Sequence, residues 1–232
     1  MTDTNTLPGA EDFFDTWNIY RKIVANNNMF HKEIYADVQQ VLTALGNDFS
    51  VLDLGCGDAA CLAPVLAGQA VSHYHGVDLS QTALGLAAAN LAALSCPVSF
   101  QQADLLQALL DTEQRYQVIF SSFALHHLPL AQKGEFFQAV YPRLAEGGLL
   151  LLIDTCRDAD ESLSTYLASY CDWLCNDWVG INDEEKTIAC RHITENDLPE
   201  ELATLTALAR SAGFTQCLEV SQYRWHRVLS FQ

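Results

Sequence analysis

A single α/β domain built on a mostly parallel sheet is the fold class this sequence of 232 residues predicts, and three observations predict it. From Phe49 to Asp154, strand-length apolar segments alternate with helical ones, the rhythm of a sheet wound by right-handed crossovers. The strand cores are near-continuous apolar runs, as required where helices cover both faces. Two late strand segments almost touch in sequence, so one of them must run antiparallel.

Residues 1–10 hold Pro8 and Gly9 and read as a frayed start. Phe13, Phe14, Trp17, Tyr20, Ile23 and Val24 then recur at helical spacing, which predicts a first helix interrupted by the asparagines at 26–28. Phe30, Ile34, Val38, Val41, Leu42 and Leu45 form a second apolar stripe, ended by Gly46-Asn47. The sheet begins with FSVLDL at 49–54 and a helix, then HYHGVDL at 73–79, a helix over Thr82 to Leu94, PVSFQQADL at 97–105 and a short helix. YQVIFSS at 116–122, a helix over Leu130 to Leu144, and GGLLLLID at 147–154 complete the alternation. After Asp154 the rhythm breaks: Leu163, Tyr166, Leu167, Tyr170 and Leu174 mark an extra helix, and a polar, charged stretch runs from Asn182 to Glu201. A helix to Ala212, stopped by Gly213, leads to the strands FTQCLEVSQ and RWHRVLSF, joined at Gln222 and Tyr223.

Composition narrows the function. The 12 Lys+Arg against 29 Asp+Glu give a formal net charge of -17, and no Lys/Arg run builds a basic groove, so nucleic acid is not an expected partner. No apolar run approaches the roughly 18 residues that span a bilayer, so no membrane partner is expected. The start MTDTNTLPGAEDFF is polar and acidic rather than a signal peptide. The eight cysteines include no C-x-x-C pair and read as reduced thiols of a cytoplasmic protein.

The chemistry-bearing residues sit at strand ends. Gly55-x-Gly57 follows one strand and opens a helix, Asp78 ends the next strand about twenty residues on, Asp104 ends the third, and SSFALHHL follows the fourth. In open α/β sheets ligands bind outside the carboxyl ends of the strands. Taken in order, LDLGCGDA, GVDLS, QADL, SFALHHL and LAEGGLLLLID resemble the motif series of class I S-adenosylmethionine (SAM) dependent methyltransferases of the small-molecule type. The resemblance covers about Phe49 to Thr155, and the terminal hairpin suits it. It implies a Rossmann-like, seven-stranded, mostly parallel sheet with an antiparallel terminal hairpin. N-terminal helices and a helical insertion after strand 5 would form a cap.

Carried over residue by residue, the resemblance implies that Asp53, Gly55, Cys56 and Gly57 contact the methionine moiety and ribose. Asp78, with Ser80 beside it, would meet the ribose diol, and Leu79, Asp104 and Leu105 the adenine edge; Ser121, Ser122 and Phe123 would run beneath the methionyl chain. Glycines let backbone approach a ligand where a Cβ would collide, and Asp53 in the loop favours a cationic, phosphate-free cofactor over NAD. SSFA replaces the N-P-P-[YF] tetrad used for amide or nucleobase nitrogens, which argues against those substrates.

The boundaries implied are 1–48 for an N-terminal helical cap segment, 49–156 for the SAM-binding core, 157–195 for the cap insertion and 196–232 for completion of the sheet, one domain overall. The expected function is methyl transfer from SAM, leaving S-adenosylhomocysteine, to a small-molecule nucleophile, with an anionic acceptor as one option. The rivals are an NAD(P)-dependent oxidoreductase, which Gly55-x-Gly57-x-x-Ala60 satisfies loosely, and a methyltransferase-like protein that binds SAM without turnover. His126 and His127 either pack at a helix start or orient and deprotonate the acceptor, and are the catalytic candidates. The family builds its acceptor pocket from the segments outside the sheet rhythm, which makes Trp17, Tyr20, His31, Tyr166, Tyr170, Trp173, Arg191 and His192 the acceptor candidates. No metal is expected: His73 and His75 read as a strand-edge pair, because no third ligand lies nearby in sequence. Cys171 and Cys175, one turn apart, with Cys190 could present thiols to a soft acceptor such as arsenite, or simply pack. A monomer or homodimer is expected.

Overall fold

The structure is a computed structural model that describes residues 10–46 and 48–232, with side chains from residue 17 onward. Most of the expected frayed start, the Asn47 half of the second helix stop, and the side chains of Phe13 and Phe14 lie outside the described residues. The described chain forms two compact units, one of residues up to His31 with Ser162–Asp197, the other of Lys32–Glu161 with Leu198–Gln232.

The larger unit holds a seven-stranded sheet in the order β3-β2-β1-β4-β5-β7-β6. Its strands are β1 (Phe49–Leu54), β2 (Val71–Asp78), β3 (Val98–Gln102), β4 (Tyr116–Ser122), β5 (Leu144–Thr155), β6 (Cys217–Tyr223) and β7 (His226–Phe231). The first five pair in parallel and β7 runs antiparallel to both β5 and β6. The hairpin turn falls at Arg224-Trp225, two residues later than the sequence places it, and Arg224 takes a left-handed φ of 53° there. Strand order reverses between β1 and β4, and that reversal opens the crevice in which such sheets bind ligands.

The central strands β1, β4 and β5 form because their residues are largely aliphatic and buried on both faces, while β3 and β6 at the edges are only half-buried. Leu52, Leu54, Val77, Ile119, Leu150, Leu152 and Leu229 share one core with Phe136, Phe137, Phe214 and Phe231. The helices are set by local chemistry. Ser80 caps α4 (Gln81–Asn90) by accepting from Ala83 N, Asp104 caps α5 (Leu105–Asp111), and Gly213 at φ 116° stops α9 (Leu202–Ala212). α3 (Leu62–Leu66) follows the glycine loop, and α6 (Leu130–Val140) follows β4 and ends in a 3-10 turn, Tyr141–Arg143. α2 (His31–Leu45), which the sequence assigns to the cap segment, belongs with the sheet. Its stripe Ile34, Val38 and Leu42 is buried, and Tyr35 packs 6.4 Å from Phe120 of β4.

The smaller unit comprises α1 (Ala10–Ala25), α7 (Leu163–Asp177) and α8 (Asp183–Asn196). Its core is aromatic: Trp173 stacks on Phe30 at 6.0 Å and meets Tyr170 and Trp178 edge-on at 5.2 and 5.3 Å. α8 arises where the sequence shows only a polar stretch. A capping box, Asn182 with Glu185, and three acids in its first turn start it, yet Ile193 is its one buried residue.

Candidate active site at the strand ends

The loop after β1 is shaped by its neighbours. Gly55 and Gly57 take φ of 73° and 53°, and the N–H groups of Gly55 and Cys56 both donate to Val77 O at 2.9 Å. A Cβ on Gly55 would lie 2.8 Å from Ala124 Cβ, so this glycine is demanded by the loop that follows β4. Asp78 organises the same turn from β2: Gly57 N donates to Oδ2 at 2.9 Å and Ser80 N to Oδ1 at 2.8 Å. Burial raises the Asp78 pKa and these backbone bonds pull it back. Each carboxylate oxygen retains a lone pair, so the group can accept from two vicinal hydroxyls. Beside it Leu79 is 56% exposed, an apolar face such as an aromatic base covers.

Asp53 is turned inward. It is 2% exposed, accepts from Tyr74 Oη at 2.6 Å, and is pushed up to about 7 by burial, with Tyr74 opposing and Asp78 adding to the shift. It therefore braces the loop from below and does not offer a full surface charge to a ligand ammonium. Cys56 is buried, and burial followed by the charges of Asp53 and Asp78 holds its thiol protonated. Asp104 is exposed, and its Oδ1 is occupied in capping α5, accepting from Leu106 N at 2.9 Å and Gln107 N at 3.2 Å; Leu105 beside it is half-buried.

The end of β4 sorts its residues sharply. Ser121 is fully buried and donates to Leu54 O at 2.9 Å, so its hydroxyl ties β4 to β1 and does not face a ligand. Ser122 is half-buried and accepts from Tyr35 Oη at 3.2 Å, a contact from α2 that no local pattern signals. Phe123 takes a left-handed φ of 52° while its N–H donates to Ile153 O at 2.8 Å. A bulky residue in that region marks strain of the kind that gathers at functional sites. The 3-10 turn Leu125–His127 then buries His126 and exposes His127, with their rings 4.1 Å apart. His126 Nδ1 is hydrogen-bonded to Asp154 Oδ1 at the end of β5, and that oxygen also accepts from Thr155 N at 2.9 Å. Asp154 is the functional candidate that sequence reasoning misses, although its place as the acid ending the fifth strand was a signal.

The acceptor candidates occupy the smaller unit, where Tyr166, Tyr170 and Trp173 are buried in its aromatic core. Trp17 and Tyr20 are half-buried, with rings 5.8 Å apart, and Tyr20 Oη bonds His31 Nε2 at 3.1 Å. Burial lowers His31 to about 4, so it is neutral near pH 7 and carries no charge for an anion. Arg191 and His192 stand exposed on α8. His73 and His75 stack at 6.5 Å, and His75 bonds Ser99 Oγ at 2.8 Å.

Residues 51–148 match the family described as "Methyltransferase domain". A phosphoethanolamine N-methyltransferase of Plasmodium falciparum (isolate 3D7) is 26% identical over 140 residues, 60% of this chain and 49% of that protein. Carboxy-S-adenosyl-L-methionine synthase 1 of Yersinia pseudotuberculosis serotype IB (strain PB1/+) is 21% identical over 148 residues, 60% of this chain and 61% of that one. The chain thus spans about half to three fifths of the length of the curated relatives it matches. Among solved structures, an O-methyltransferase family protein from Burkholderia thailandensis superposes with a TM-score of 0.65 at 18% identity, covering 90% of this chain and 57% of that one. DhpI in complex with SAH superposes with a TM-score of 0.62 at 14% identity, covering 94% and 93%. These likenesses show the fold, a Rossmann-like methyltransferase sheet, and no helix of the described residues is long and apolar enough to cross a membrane.

Proposed function

We propose, from the match of residues 51–148 to the family described as "Methyltransferase domain", that this chain uses SAM to methylate a small-molecule nucleophile which surrenders a proton to His126. The His126–Asp154 pair carries the reading. With Asp154 Oδ1 as the acceptor, Nδ1 would donate and Nε2 would be the nitrogen that takes the acceptor's proton. Asp154 thereby fixes the ring's tautomer and supports the imidazolium that proton transfer creates.

Gly57 and Asp78 would hold the nucleoside, with the Asp78 carboxylate on the ribose hydroxyls and Leu79 under the base. SAM would supply a methyl already activated on a sulfonium, so alignment by the protein accounts for most of the acceleration. A positioned base adds typically about 10²–10⁴-fold where the acceptor has a proton to lose. An O–H or N–H acceptor is therefore favoured over an unprotonated thioether or tertiary amine.

The reading is tested by calorimetry and a pH profile together. S-adenosylhomocysteine should bind in the micromolar range, about -8 kcal/mol, while NAD shows no heat; tight NAD binding would favour the oxidoreductase. With a turned-over acceptor, log kcat should rise with slope one on the acid limb, and His126→Ala should remove that limb while S-adenosylhomocysteine affinity stays within about 0.5 kcal/mol. Retention of the acid limb in His126→Ala would dismiss His126 as the base. Cofactor binding without turnover of any acceptor would point to the non-catalytic alternative.

A further inference from the structure

Three thiols in the smaller unit are not used by the methyl transfer proposed above. Cys171 and Cys175 lie one turn apart on α7, and Cys190 faces them from α8. Cys175 Sγ lies 3.8 Å from Cys190 Sγ, while Cys171 Sγ and Cys190 Sγ each lie 3.9 Å from the other's carbonyl oxygen. A 3.8 Å separation is van der Waals contact, so closure of about 1.8 Å would reach the roughly 2.05 Å of a disulfide.

The surroundings permit that closure. α8 buries only Ile193, so few packed atoms resist a small shift of its backbone. Cys175 is the exposed thiol of the three, and Cys171 and Cys190 are half-buried. Lys186 Nζ donates to Cys175 O at 2.7 Å, which ties α8 to the turn of α7 that carries Cys175. Among the described residues these sulfurs do not gather into a three-donor metal set.

We propose that Cys175 and Cys190 are a site of reversible oxidative modification, closing to a disulfide that pins α8 to α7. The oxidant is a low-molecular-weight disulfide, R–S–S–R, of the glutathione class. The deprotonated Cys175 sulfur attacks one sulfur of the oxidant, forming a mixed disulfide and expelling RS⁻. Cys190 sulfur then attacks Cys175 Sγ, forming the internal bond and expelling the second RS⁻. The two cysteine protons pass to the two RS⁻, so two protein thiols are oxidised and one R–S–S–R is reduced to two R–SH. Cys175 is the exposed thiol and Cys190 and Cys171 are half-buried, so the oxidant reaches Cys175 first. The bridge closes a segment of 15 residues, which removes chain entropy from the unfolded state, and it fixes the turn bearing Arg191 and His192.

The test treats the full chain with oxidised glutathione, digests it without reduction, and maps the linked peptides by mass spectrometry. Expected is a species lighter by two hydrogens whose linked peptides contain residues 175 and 190, with a Tm several degrees above the reduced protein and reversal by dithiothreitol. Cys175→Ser should abolish the bridge, and Cys96→Ser should leave it intact. A glutathione adduct that persists on Cys175, a bridge that maps through Cys171, or no oxidation at either residue would each overturn the proposal. Because the readout is a covalent bond in the wild-type chain, it stands or falls separately from the methyl-transfer reading.

Discussion

Replacing Asp78 by Asn tests the candidate cofactor site more sharply than truncation does. Each carboxylate oxygen of Asp78 accepts one backbone N–H, Gly57 N at 2.9 Å and Ser80 N at 2.8 Å. An amide keeps one acceptor and turns the other into a donor, so one of these N–H groups would face an NH₂. Leaving a buried donor without an acceptor costs about 1–3 kcal/mol, and the ribose hydroxyls lose a charged acceptor at about 1.5–3 kcal/mol. The unpaired N–H is present with and without ligand and so weakens folding, while only the lost ribose contact enters the binding equilibrium. The expected loss of S-adenosylhomocysteine affinity is about 1.5–3 kcal/mol, or roughly 10- to 150-fold. Asp78→Asn should therefore approach Asp78→Ala in severity despite being the closer isostere. Titration calorimetry measures the affinity, and thermal unfolding of the free protein separates out the strain in the loop. Binding of Asp78→Asn within about 3-fold of wild type would show that the carboxylate does not hold the nucleoside, and would move the ribose elsewhere.

Further outcomes follow from the buried groups and the glycine loop. His31 is lowered to about 4 in the folded chain, so between pH 6.5 and 4 the unfolded state binds the extra proton and acid weakens folding, by at most about 3 kcal/mol. Asp53, raised to about 7, acts oppositely: the folded state holds the extra proton, and its contribution is lost as pH rises from 3.8 to 7. His31→Gln should thus leave Tm falling more steeply as pH rises across this window, and Asp53→Asn should reverse that bias; identical pH profiles in both variants would dismiss the shifts. Gly55→Ala should lose about 1–3 kcal/mol in chemical denaturation through its positive φ and the contact with Ala124. Ala124→Gly should restore the part due to contact alone, and no recovery would assign the whole loss to backbone strain.

Much of the sheet was legible from local pattern. Apolar runs, the Gly55-x-Gly57 turn, the acids Asp78 and Asp104 and the stop at Gly213 act over a few residues, so composition and spacing report them directly. α8 was harder to see: the Asn182–Glu185 capping box was present, but without an apolar stripe the helix leaves no periodic trace. The partner of α2 is not legible for a related reason, since an amphipathic stripe shows that a helix is buried without naming what buries it.

By itself the sequence determined the order of the strands and of every helix but α8, the position of the glycine loop, and the polar residues that end the parallel strands. Only the tertiary structure decided which of those residues meet. Ser121 and Ser122 are neighbours in sequence, yet the pleat sends one to Leu54 O and leaves the other to Tyr35. Asp154 reaches His126 because β4 and β5 pair in a register that sets Ser122 beside Ile153, which brings the residues beyond both strand ends together. His31 reads as a polar acceptor candidate in sequence and is neutral in the fold because burial removes the water that would solvate its charge. Periodicity and turn preference are local energies, whereas register, side-chain partner and desolvation depend on what arrives from elsewhere in the chain.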